Sequence, residues 1–481
     1  MIYAAIACRA KKKATNNGAS PMNDAVFDVA VIGGGVVGCA ILRRLAMCGL
    51  RCVLLEKGTD ILSGASKGNS ALLHTGFDAP ANSLELACMQ AGYREYLAIR
   101  ERLNLPLVET GALVVAWNEA EQVRLRGIVE QAHANGVSDV GEIDSVELYR
   151  REPNLARSAL GAVHVPGEHV IDAWSAPLAY ALQALAHGAQ LRRATRVDSG
   201  NWQNNHWILQ TSAGPVAARV VVNAAGLYGD HVEAIARSCP FSIRPRKGQF
   251  VVFDKSAYGL VNAIVLPVPT DITKGVLVSR TAFGNLIVGP TAEEVEEREY
   301  ASVDREVLQR LVDKAHALVP ALAQHSVTAT YAGLRPATQF KDYQIEALPE
   351  RGWITVAGIR STGLTGSLGI GEHVASLYAQ HFGEIEACPG PAWTPVPNLC
   401  EQNTRRYQEH HAGEIVCHCE LVTRSEIDNA LAGPLPATDL GGLKRRTRCM
   451  MGRCQGFYCS ARVMELAANR LADPRPGRIR A

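Results

Sequence analysis

Four cysteines near the carboxyl end of the 481-residue chain are spaced as metal ligands are. Cys417 and Cys419 form a C-x-C pair, and Cys454 and Cys459 form a C-x4-C pair. Thiolates that arrive as two local pairs can hold a tetrahedral zinc ion or a [2Fe–2S] cluster. Zinc sites usually place two to four residues between paired cysteines, so the C-x-C pair favours iron and sulfur. Buried thiols without a metal are the remaining alternative.

A helix and a cationic segment connect the two pairs. Thr423 and Glu426 have the spacing of a capping box, which predicts that a helix begins there. Residues 444–453 include five cationic side chains and no acidic one. Cations in this position would stabilise the negative charge of an iron–sulfur centre and raise its potential. An ordinary solvated surface is the alternative interpretation.

A glycine-rich turn lies at the other end of the chain. Three glycines follow a strand predicted over 27–32 and open a helix predicted over 36–48, and they are Gly33, Gly35 and Gly38. The first permits a tight turn, the second lets a pyrophosphate approach the backbone, and the third lets helix and strand pack closely. The next predicted strand ends in Glu56, whose carboxylate can accept hydrogen bonds from ribose hydroxyls. The pattern predicts an adenine dinucleotide site.

Two further segments decide which dinucleotide is favoured. Residues 218–232 and 352–379 each combine a buried strand with a glycine-rich turn, far downstream of the first turn. A nicotinamide-binding domain is usually completed within one continuous run of strands and helices. A domain assembled from three separated segments is typical of flavoproteins, so we expect FAD.

The composition indicates a globular protein and excludes some function classes. Lys and Arg (49) nearly balance Asp and Glu (47), so nothing indicates nucleic-acid binding. No apolar run reaches the roughly 18 residues of a membrane-spanning helix. Thirteen cysteines without a secretory signal indicate a reducing compartment, and we expect a cytoplasmic location. We expect residues 1–25 to be a disordered extension and residues 292–299 to be an acidic, solvated helical face.

The chain resembles the D-amino-acid-oxidase/glycerol-3-phosphate-dehydrogenase superfamily of FAD enzymes. The blocks that carry the resemblance include SGASKGNSALLHTGFDAP, ETGALVVA and YAGLRPA. Within that superfamily it is similar to a branch that contains the large subunit of anaerobic glycerol-3-phosphate dehydrogenase and L-2-hydroxyglutarate dehydrogenase. The tail CHCELVT…RRTRCMMGRCQGFYC resembles the bacterioferritin-associated-ferredoxin type of [2Fe–2S] domain. In that domain the position of Cys449 is not a cysteine, so we leave Cys449 out of the ligand set.

The resemblance implies an α/β fold in three parts. A Rossmann-like FAD-binding domain would be assembled from residues 26–80, 170–240 and 340–385. An inserted substrate domain, 80–170 and 240–340, would form a mixed, mainly antiparallel sheet. A linker over 386–412 would lead to a small helical [2Fe–2S] domain over 413–470.

The resemblance also implies site residues. His74 would take a proton from the substrate, although it could instead only hydrogen-bond to flavin or backbone. Arg335 would pair with a substrate carboxylate or phosphate, and Arg360 keeps a cationic position at which glycerol-3-phosphate dehydrogenases carry a lysine. Lys247 could touch flavin or substrate, with a surface role at least as well supported. The residues expected to contact FAD are Gly33, Gly35, Gly38, Glu56, Ser66, Asn69, Ser70, Val197, Ala225, Gly226, Gly363, Leu364 and Thr365.

Three functional hypotheses follow. The first is a dehydrogenase of a small anionic alcohol, either glycerol 3-phosphate or a 2-hydroxy acid. Its electrons would pass from flavin through the [2Fe–2S] cluster to a quinone or a partner protein. The second is an amine- or imino-acid-oxidising subunit of a larger complex, and the third is a non-catalytic electron-transfer subunit. A second flavoprotein subunit or a membrane-anchor subunit is the expected partner, and the anchor would make the protein peripheral at the inner membrane.

Overall fold

The structure is a computed structural model that describes residues 26–269, 275–388 and 390–472. The extension expected over residues 1–25 lies outside this part of the chain. No helix in the described ranges is both long enough and apolar enough to cross a membrane.

The strands of the described residues belong to two large sheets and two small ones. In chain order they are β1 (Phe27–Ile32), β2 (Cys52–Leu55), β3 (Leu72–Leu73), β4 (Leu107–Glu109), β5 (Ala112–Ala116), β6 (Gly141–Asp144), β7 (Gly161–Val165), β8 (His169–Ile171), β9 (Gln190–Arg192), β10 (Val197–Gln203), β11 (His206–Thr211), β12 (Val216–Asn223), β13 (Arg244–Phe253), β14 (Ile264–Pro267), β15 (Leu277–Arg280), β16 (Leu286–Gly289), β17 (Glu293–Glu294), β18 (Val327–Ala337), β19 (Gln344–Leu348), β20 (Trp353–Ala357), β21 (Ile415–Cys417) and β22 (Val422–Thr423).

The α-helices cover the first sheet, flank the second and build the tail. They are α1 (Val36–Met47), α2 (Leu84–Leu103), α3 (Glu119–Ala134), α4 (Ser145–Arg151), α5 (Ser175–Ala186), α6 (Gly229–Glu233), α7 (Arg305–Leu318), α8 (Gly363–His381), α9 (Arg424–Ala430), α10 (Leu440–Thr447) and α11 (Ser460–Ala467). Short 3₁₀ turns lie at Ala65–Lys67, Gly226–Tyr228, Lys255–Leu260, Pro320–Gln324, Pro349–Arg351 and Arg406–Gln408.

The first sheet has eight strands in the order β10-β11-β12-β1-β2-β9, with β20 on β12 and β19 on β20. Its central strands β12, β1, β2, β9 and β20 run parallel. All four residues of β2 are buried, as expected for a parallel strand covered on both faces. Helices α1 and α8 pack against each other and against this sheet. The predicted strand and helix around the first glycine turn are confirmed.

The second sheet has nine strands in the order β17-β13-β16-β15-β14-β5-β7-β6, with β18 on β13. Its strand pairs are antiparallel except β14 with β5. A small sheet, β3-β8-β4, lies at the start of this region of the chain. The fold is therefore the predicted α/β class with a mixed, mainly antiparallel second sheet.

The prediction of a helix over residues 292–299 is wrong. Glu293 and Glu294 form the short strand β17, opposite Lys247 and Arg246 of β13. Lys247 Nζ lies 3.3 Å from Glu293 Oε2, so the acidic residues face basic ones across the sheet. Cross-strand pairs of opposite charge stabilise a sheet, and this pairing outweighs the helical propensity of the glutamates.

An extended segment leads from the body to the tail. No helix or strand occurs in the described residues between α8 and the 3₁₀ turn at Arg406–Gln408, and Val396 and Leu399 are buried against the body. In the tail, the backbone N–H of Thr423 donates to Glu426 Oε2 at 2.7 Å, and Thr423 Oγ1 accepts from the N–H of Glu426. The predicted capping box is confirmed, and α9 begins there.

Candidate functional site

A cavity of about 1460 Å³ lies between the two large sheets. Residues from distant parts of the sequence meet on its wall, which extends from the first glycine turn to the start of α8. Of the residues expected to contact FAD, those that line it are Gly33, Gly35, Glu56, Ser66, Asn69, Ser70, Val197, Ala225, Gly226, Gly363 and Leu364. Gly38 and Thr365 do not line it, and both lie behind the wall.

The glycine turn is shaped by close backbone approaches. Gly33 has φ +112°, and a Cβ there would lie 2.4 Å from the carbonyl oxygen of Ala224. A Cβ on Gly38 would lie 1.9 Å from the carbonyl oxygen of Gly33, so Gly38 permits the contact between α1 and the turn. Ser66 Oγ accepts from the N–H of Val36 at 3.0 Å, which joins the loop that follows β2 to the first turn of α1.

Glu56 lies at the end of β2, where its carboxylate borders the cavity. Its Oε2 accepts from the N–H of Gly34 and its Oε1 from the N–H of Gly58, both at 2.6 Å. Burial raises the pKa of Glu56, and these two N–H groups partly oppose that rise. Each carboxylate oxygen can accept more than one hydrogen bond, so the group can also accept from a ribose.

The amino terminus of α8 opens onto the same cavity. Gly363 and Leu364 are its first residues and line the wall, and their N–H groups lie where an α-helix has no internal acceptors. The aligned peptide dipoles of this 19-residue helix favour negative charge at that end. Thr365 lies one residue further along the helix, and its Oγ1 accepts from the N–H of His74 at 3.1 Å. Thr365 therefore positions the segment that carries His74.

His74 has a buried carboxylate partner. Its Nδ1 lies 2.7 Å from Oε2 of Glu168, a fully buried side chain. The backbone N–H and Oγ1 of Thr75 donate to the other carboxylate oxygen at 2.6 and 2.9 Å. Because an ionised carboxylate only accepts, Nδ1 carries the proton and Nε2 is the nitrogen that can take one. His74 also lines the cavity.

Sequence reasoning missed Glu168. It is brought to His74 by the antiparallel pairing of β3 with β8, in which Leu73 lies opposite His169. Two- and three-residue strands have no detectable periodicity, so no local pattern could have indicated this pairing.

Cationic side chains also line the cavity. Arg335 lies opposite Arg246 in the pairing of β18 with β13, and both line the cavity. Arg335 donates to the carbonyl oxygen of Thr291 at 3.3 and 3.4 Å. Burial, together with the neighbouring charge of Arg246, lowers the pKa of Arg335 to about 10. Arg360 and Lys341 line the same cavity, and Arg360 donates to the carbonyl oxygen of Lys341. The wall is suited to an anion.

Strand alternation could have revealed Arg246. Arg246, Gly248 and Phe250 of β13 all line the cavity, as expected of residues that share one face of a strand. Lys247 pairs with Glu293 and does not line the cavity, and its side chain is only 13% exposed, so both interpretations of Lys247 stay predictions.

The four predicted cysteine ligands lie near one another. The thiol of Cys419 lies near those of Cys454 and Cys417, and the thiol of Cys459 lies near that of Cys417. Cys417 and Cys459 are buried, and Cys449 is buried near Cys417. Among the described residues no three His, Cys, Asp or Glu side chains form a group that could hold a single metal ion. Four thiols gathered in this way suit a centre with two irons, each of which takes two thiolates.

The cationic segment 444–453 mainly docks the tail onto the body. Arg446 donates both its Nη groups to the carboxylate of Asp60, and Arg453 does the same to Asp254 through Nε and Nη2. The sequence did not predict these contacts, and the charge-shell interpretation of the segment stays a prediction. Arg446 and Arg453 thus pair with carboxylates of the body, whereas Arg448 pairs with Glu420 inside the tail.

Comparison with known protein families identifies both parts of the chain. Residues 28–377 match the family described as FAD dependent oxidoreductase, and residues 415–469 match the BFD-like [2Fe-2S] binding domain. The molecule is thus a flavoprotein oxidoreductase with an iron–sulfur tail. The chain belongs to the FAD-dependent oxidoreductase family, and it binds FAD and a [2Fe–2S] cluster. The residues present fit both groups, since the glycine turn lines the cavity that would hold FAD and the tail supplies four thiols for the cluster.

Individual relatives agree with that assignment. The chain is 32% identical over 454 residues to glycerol 3-phosphate dehydrogenase of Caloramator mitchellensis, covering 93% of this chain and 95% of the relative. It is 28% identical to one subunit of the anaerobic glycerol-3-phosphate dehydrogenase of Escherichia coli K12, covering 91% of this chain and 87% of the relative. L-alpha-glycerophosphate oxidase of Mycoplasma pneumoniae, a structure with FAD bound, superposes with a TM-score of 0.71 at 26% identity, covering 78% and 99%. The resemblance stated from the sequence is confirmed.

Proposed function

We propose that the protein oxidises the secondary alcohol of glycerol 3-phosphate, or of a closely related small anionic alcohol. The observation that carries the proposal is a shared cavity. His74 lines it together with Arg246 and Arg335, which lie opposite each other on paired strands, and with residues expected to contact FAD. The similarity to a glycerol 3-phosphate dehydrogenase over 93% of the chain supports the choice of substrate.

His74 is proposed as the base. Nε2 of the imidazole takes the proton of the substrate hydroxyl, while Nδ1–H remains bound to Glu168. The carboxylate keeps this tautomer in place and stabilises the imidazolium that forms. When bound, FAD supplies the hydride acceptor for the adjacent C–H.

The cationic wall is proposed to anchor the substrate. Arg335 and Arg246 lie side by side on paired strands, and burial reduces the competition of water for their N–H groups. A phosphate can accept from a guanidinium through two oxygens and compensates the repulsion between the two cations. Arg360 adds positive charge to the lining of the same cavity. Anchoring at one end fixes the orientation of the hydroxyl relative to His74.

The tail is proposed as the exit for electrons. An iron–sulfur centre accepts electrons singly, so it can connect a two-electron flavin reaction to a quinone or a redox protein. One relative is itself a subunit of a larger enzyme, and this similarity supports assembly with further subunits, of which a second flavoprotein or a membrane anchor is the proposed kind. Through such a partner the protein would work in the cytoplasm at the face of the inner membrane.

Steady-state assays with an artificial acceptor test the substrate. Glycerol 3-phosphate, a panel of 2-hydroxy acids and a panel of secondary amino acids are compared at equal concentration. We expect the highest kcat/KM with glycerol 3-phosphate and a large loss with glycerol, which lacks the anion. A higher kcat/KM with a 2-hydroxy acid would identify that acid as the substrate in place of glycerol 3-phosphate. Turnover of amino acids alone would contradict the proposal.

Amine oxidation is the second candidate. The loop before α8 reads GIRSTGLTG, and glycerol-3-phosphate dehydrogenases carry a lysine in a different run at that place. The sequence STGLT is closer to the flavin loop of amine- and hydroxy-acid-oxidising relatives. The amino-acid panel of the same assay decides between the two candidates.

A further inference from the structure

The loop that follows β2 is held from outside by the [2Fe–2S] domain. Thr59 Oγ1 donates to Asp439 Oδ2 at 2.6 Å. The carbonyl oxygen of Ile61 accepts from Arg445 Nη2 at 2.9 Å. These contacts join two segments that lie at opposite ends of the chain, and they bind backbone as well as side chains of the loop.

The strongest of these contacts is a buried ion pair. The carboxylate of Asp60, which is fully buried, accepts from Arg446 Nη1 at 2.7 Å and from Nη2 at 2.9 Å. Arg193 lies further off, with Nη1 at 3.5 Å from Asp60 Oδ1. A Cβ on Gly442 would lie 1.8 Å from Asp60 Oδ2, so helix α10 approaches as closely as glycine permits. Removal of Arg446 would leave this buried carboxylate with only the more distant Arg193 and the N–H groups of Ile61 and Thr438, which is costly for a buried charge.

The same loop forms part of the FAD cavity. The N–H of Leu62 donates to the carbonyl oxygen of Gly34 at 2.9 Å, which connects the loop to the glycine turn. Ser66 lies further along the loop, where it binds the first turn of α1. Asp439 of the tail itself borders the cavity. Movement of Asp60 would therefore be transmitted to the glycine turn and to Ser66.

We propose that the [2Fe–2S] domain has a second function, as a clamp that holds the loop 57–70 against bound FAD. The Asp60–Arg446 ion pair is the main contact between the loop and the tail, so FAD retention depends on docking of the tail. This goes beyond the proposed function, because it depends on FAD binding alone and is independent of the substrate. Asp60 and Arg446 are positioning residues that act through the loop.

The test measures how fast the holoenzyme releases FAD. Release is followed as recovery of flavin fluorescence after dilution, and iron per chain is measured on the same samples. Arg446→Gln should release FAD about tenfold faster or more, because Asp60 then has no bidentate cation. Arg446→Lys, which keeps a positive charge, should recover part of the loss. The matched control is Arg462→Gln, an arginine of the same domain whose carboxylate partners Glu414 and Glu465 also belong to the tail.

Asp60→Asn separates a clamp from a general loss of stability. It should also accelerate FAD release, and the double variant with Arg446→Gln should release FAD more slowly than the product of the two single effects predicts. Release at the parental rate in Arg446→Gln would overturn the proposal whether or not iron is retained. Equal acceleration by Arg462→Gln, or single effects that simply multiply, would also overturn it.

Discussion

Nδ1 of His74 lies 2.7 Å from Oε2 of Glu168, although 94 positions separate the two residues in the sequence. The contact determines which imidazole nitrogen holds a proton before substrate arrives. The base directly follows the two-residue strand β3, and it is oriented by a carboxylate that directly precedes β8, the strand paired with β3.

Replacement of this carboxylate should slow the reaction without loss of cofactor. In Glu168→Gln the amide can donate to Nδ1 and favour the opposite tautomer, so kcat/KM should fall about 10²- to 10⁴-fold. Flavin content, measured by absorbance, should stay at the parental value. Glu109→Gln, an exposed position on β4 of the same small sheet, is the control and should be neutral. Parental kcat/KM in Glu168→Gln would contradict the assignment of His74 as base.

Arg335 should matter for substrate affinity. Arg335→Ala should raise KM for glycerol 3-phosphate about 30- to 1000-fold, which corresponds to about 2–4 kcal/mol for a buried charge pair with the anion. Lys247→Ala is the matched control, because Lys247 lies on the strand paired with that of Arg335 but binds Glu293 outside the cavity. Equal KM values for the two variants would exclude Arg335 from the anion site.

The lowered pKa of Arg335 predicts an alkaline limit. The guanidinium is charged below its pKa and loses its charge as the pH rises through about 10. We therefore expect kcat/KM for an anionic substrate, which reports groups of the free enzyme, to decline near that pH. The weak turnover of glycerol should show no such decline. A profile for glycerol 3-phosphate that stays flat to about pH 11 would contradict the prediction, since an arginine with an ordinary pKa keeps its charge over that whole range.

The set of cluster ligands can be tested one thiol at a time. Serine at position 417, 419, 454 or 459 should remove most of the iron and the visible circular dichroism of the cluster, since thiolates are its ligands. Cys449→Ser should retain two irons per chain. Iron analysis after anaerobic purification measures this directly. Loss of iron in Cys449→Ser together with retention in one of the other four would require a different ligand set.

The packing of the glycine turn makes a stability prediction. In Gly38→Ala the new methyl group would meet the carbonyl oxygen of Gly33 at 1.9 Å, so α1 must move away from the turn. We expect a loss of about 1–3 kcal/mol in the free energy of unfolding and weaker retention of FAD. Gly127→Ala is the control, since nothing lies within 4 Å of a Cβ there in the interior of α3. That substitution should stabilise by about 0.5–1 kcal/mol, measured by thermal denaturation.

Sequence patterns located the local parts of this molecule and missed the pairings between distant ones. The glycine turn, the Glu56 that ends the next strand and the capping box at Thr423 each depend on residues close together in the sequence. Their spacing was therefore enough to predict them. The partnership of His74 with Glu168 depends on strand pairing across the fold, which the sequence leaves open. The helix expected over 292–299 failed for the same reason, because its glutamates pair with basic residues of β13.

The charged residues of the tail also have partners that the sequence could not predict. Five cations between Lys444 and Arg453 are visible in the sequence, but Asp60 and Asp254, the partners of Arg446 and Arg453, lie far away in the chain. The number of cations in the segment could be predicted from the sequence, but the carboxylates with which they pair could not. Arg246 is an intermediate case, because alternation along β13 would have placed it beside Gly248 and Phe250 on one face.

The most direct test is an anaerobic titration of the purified holoprotein with glycerol 3-phosphate and no mediator. Absorbance follows the flavin, and low-temperature electron paramagnetic resonance follows the [2Fe–2S] cluster. We expect the flavin bands to bleach and the signal of the reduced cluster to appear in the same samples. Bleaching without a cluster signal would contradict the role of the tail as electron exit, and no bleaching would contradict the proposed substrate site.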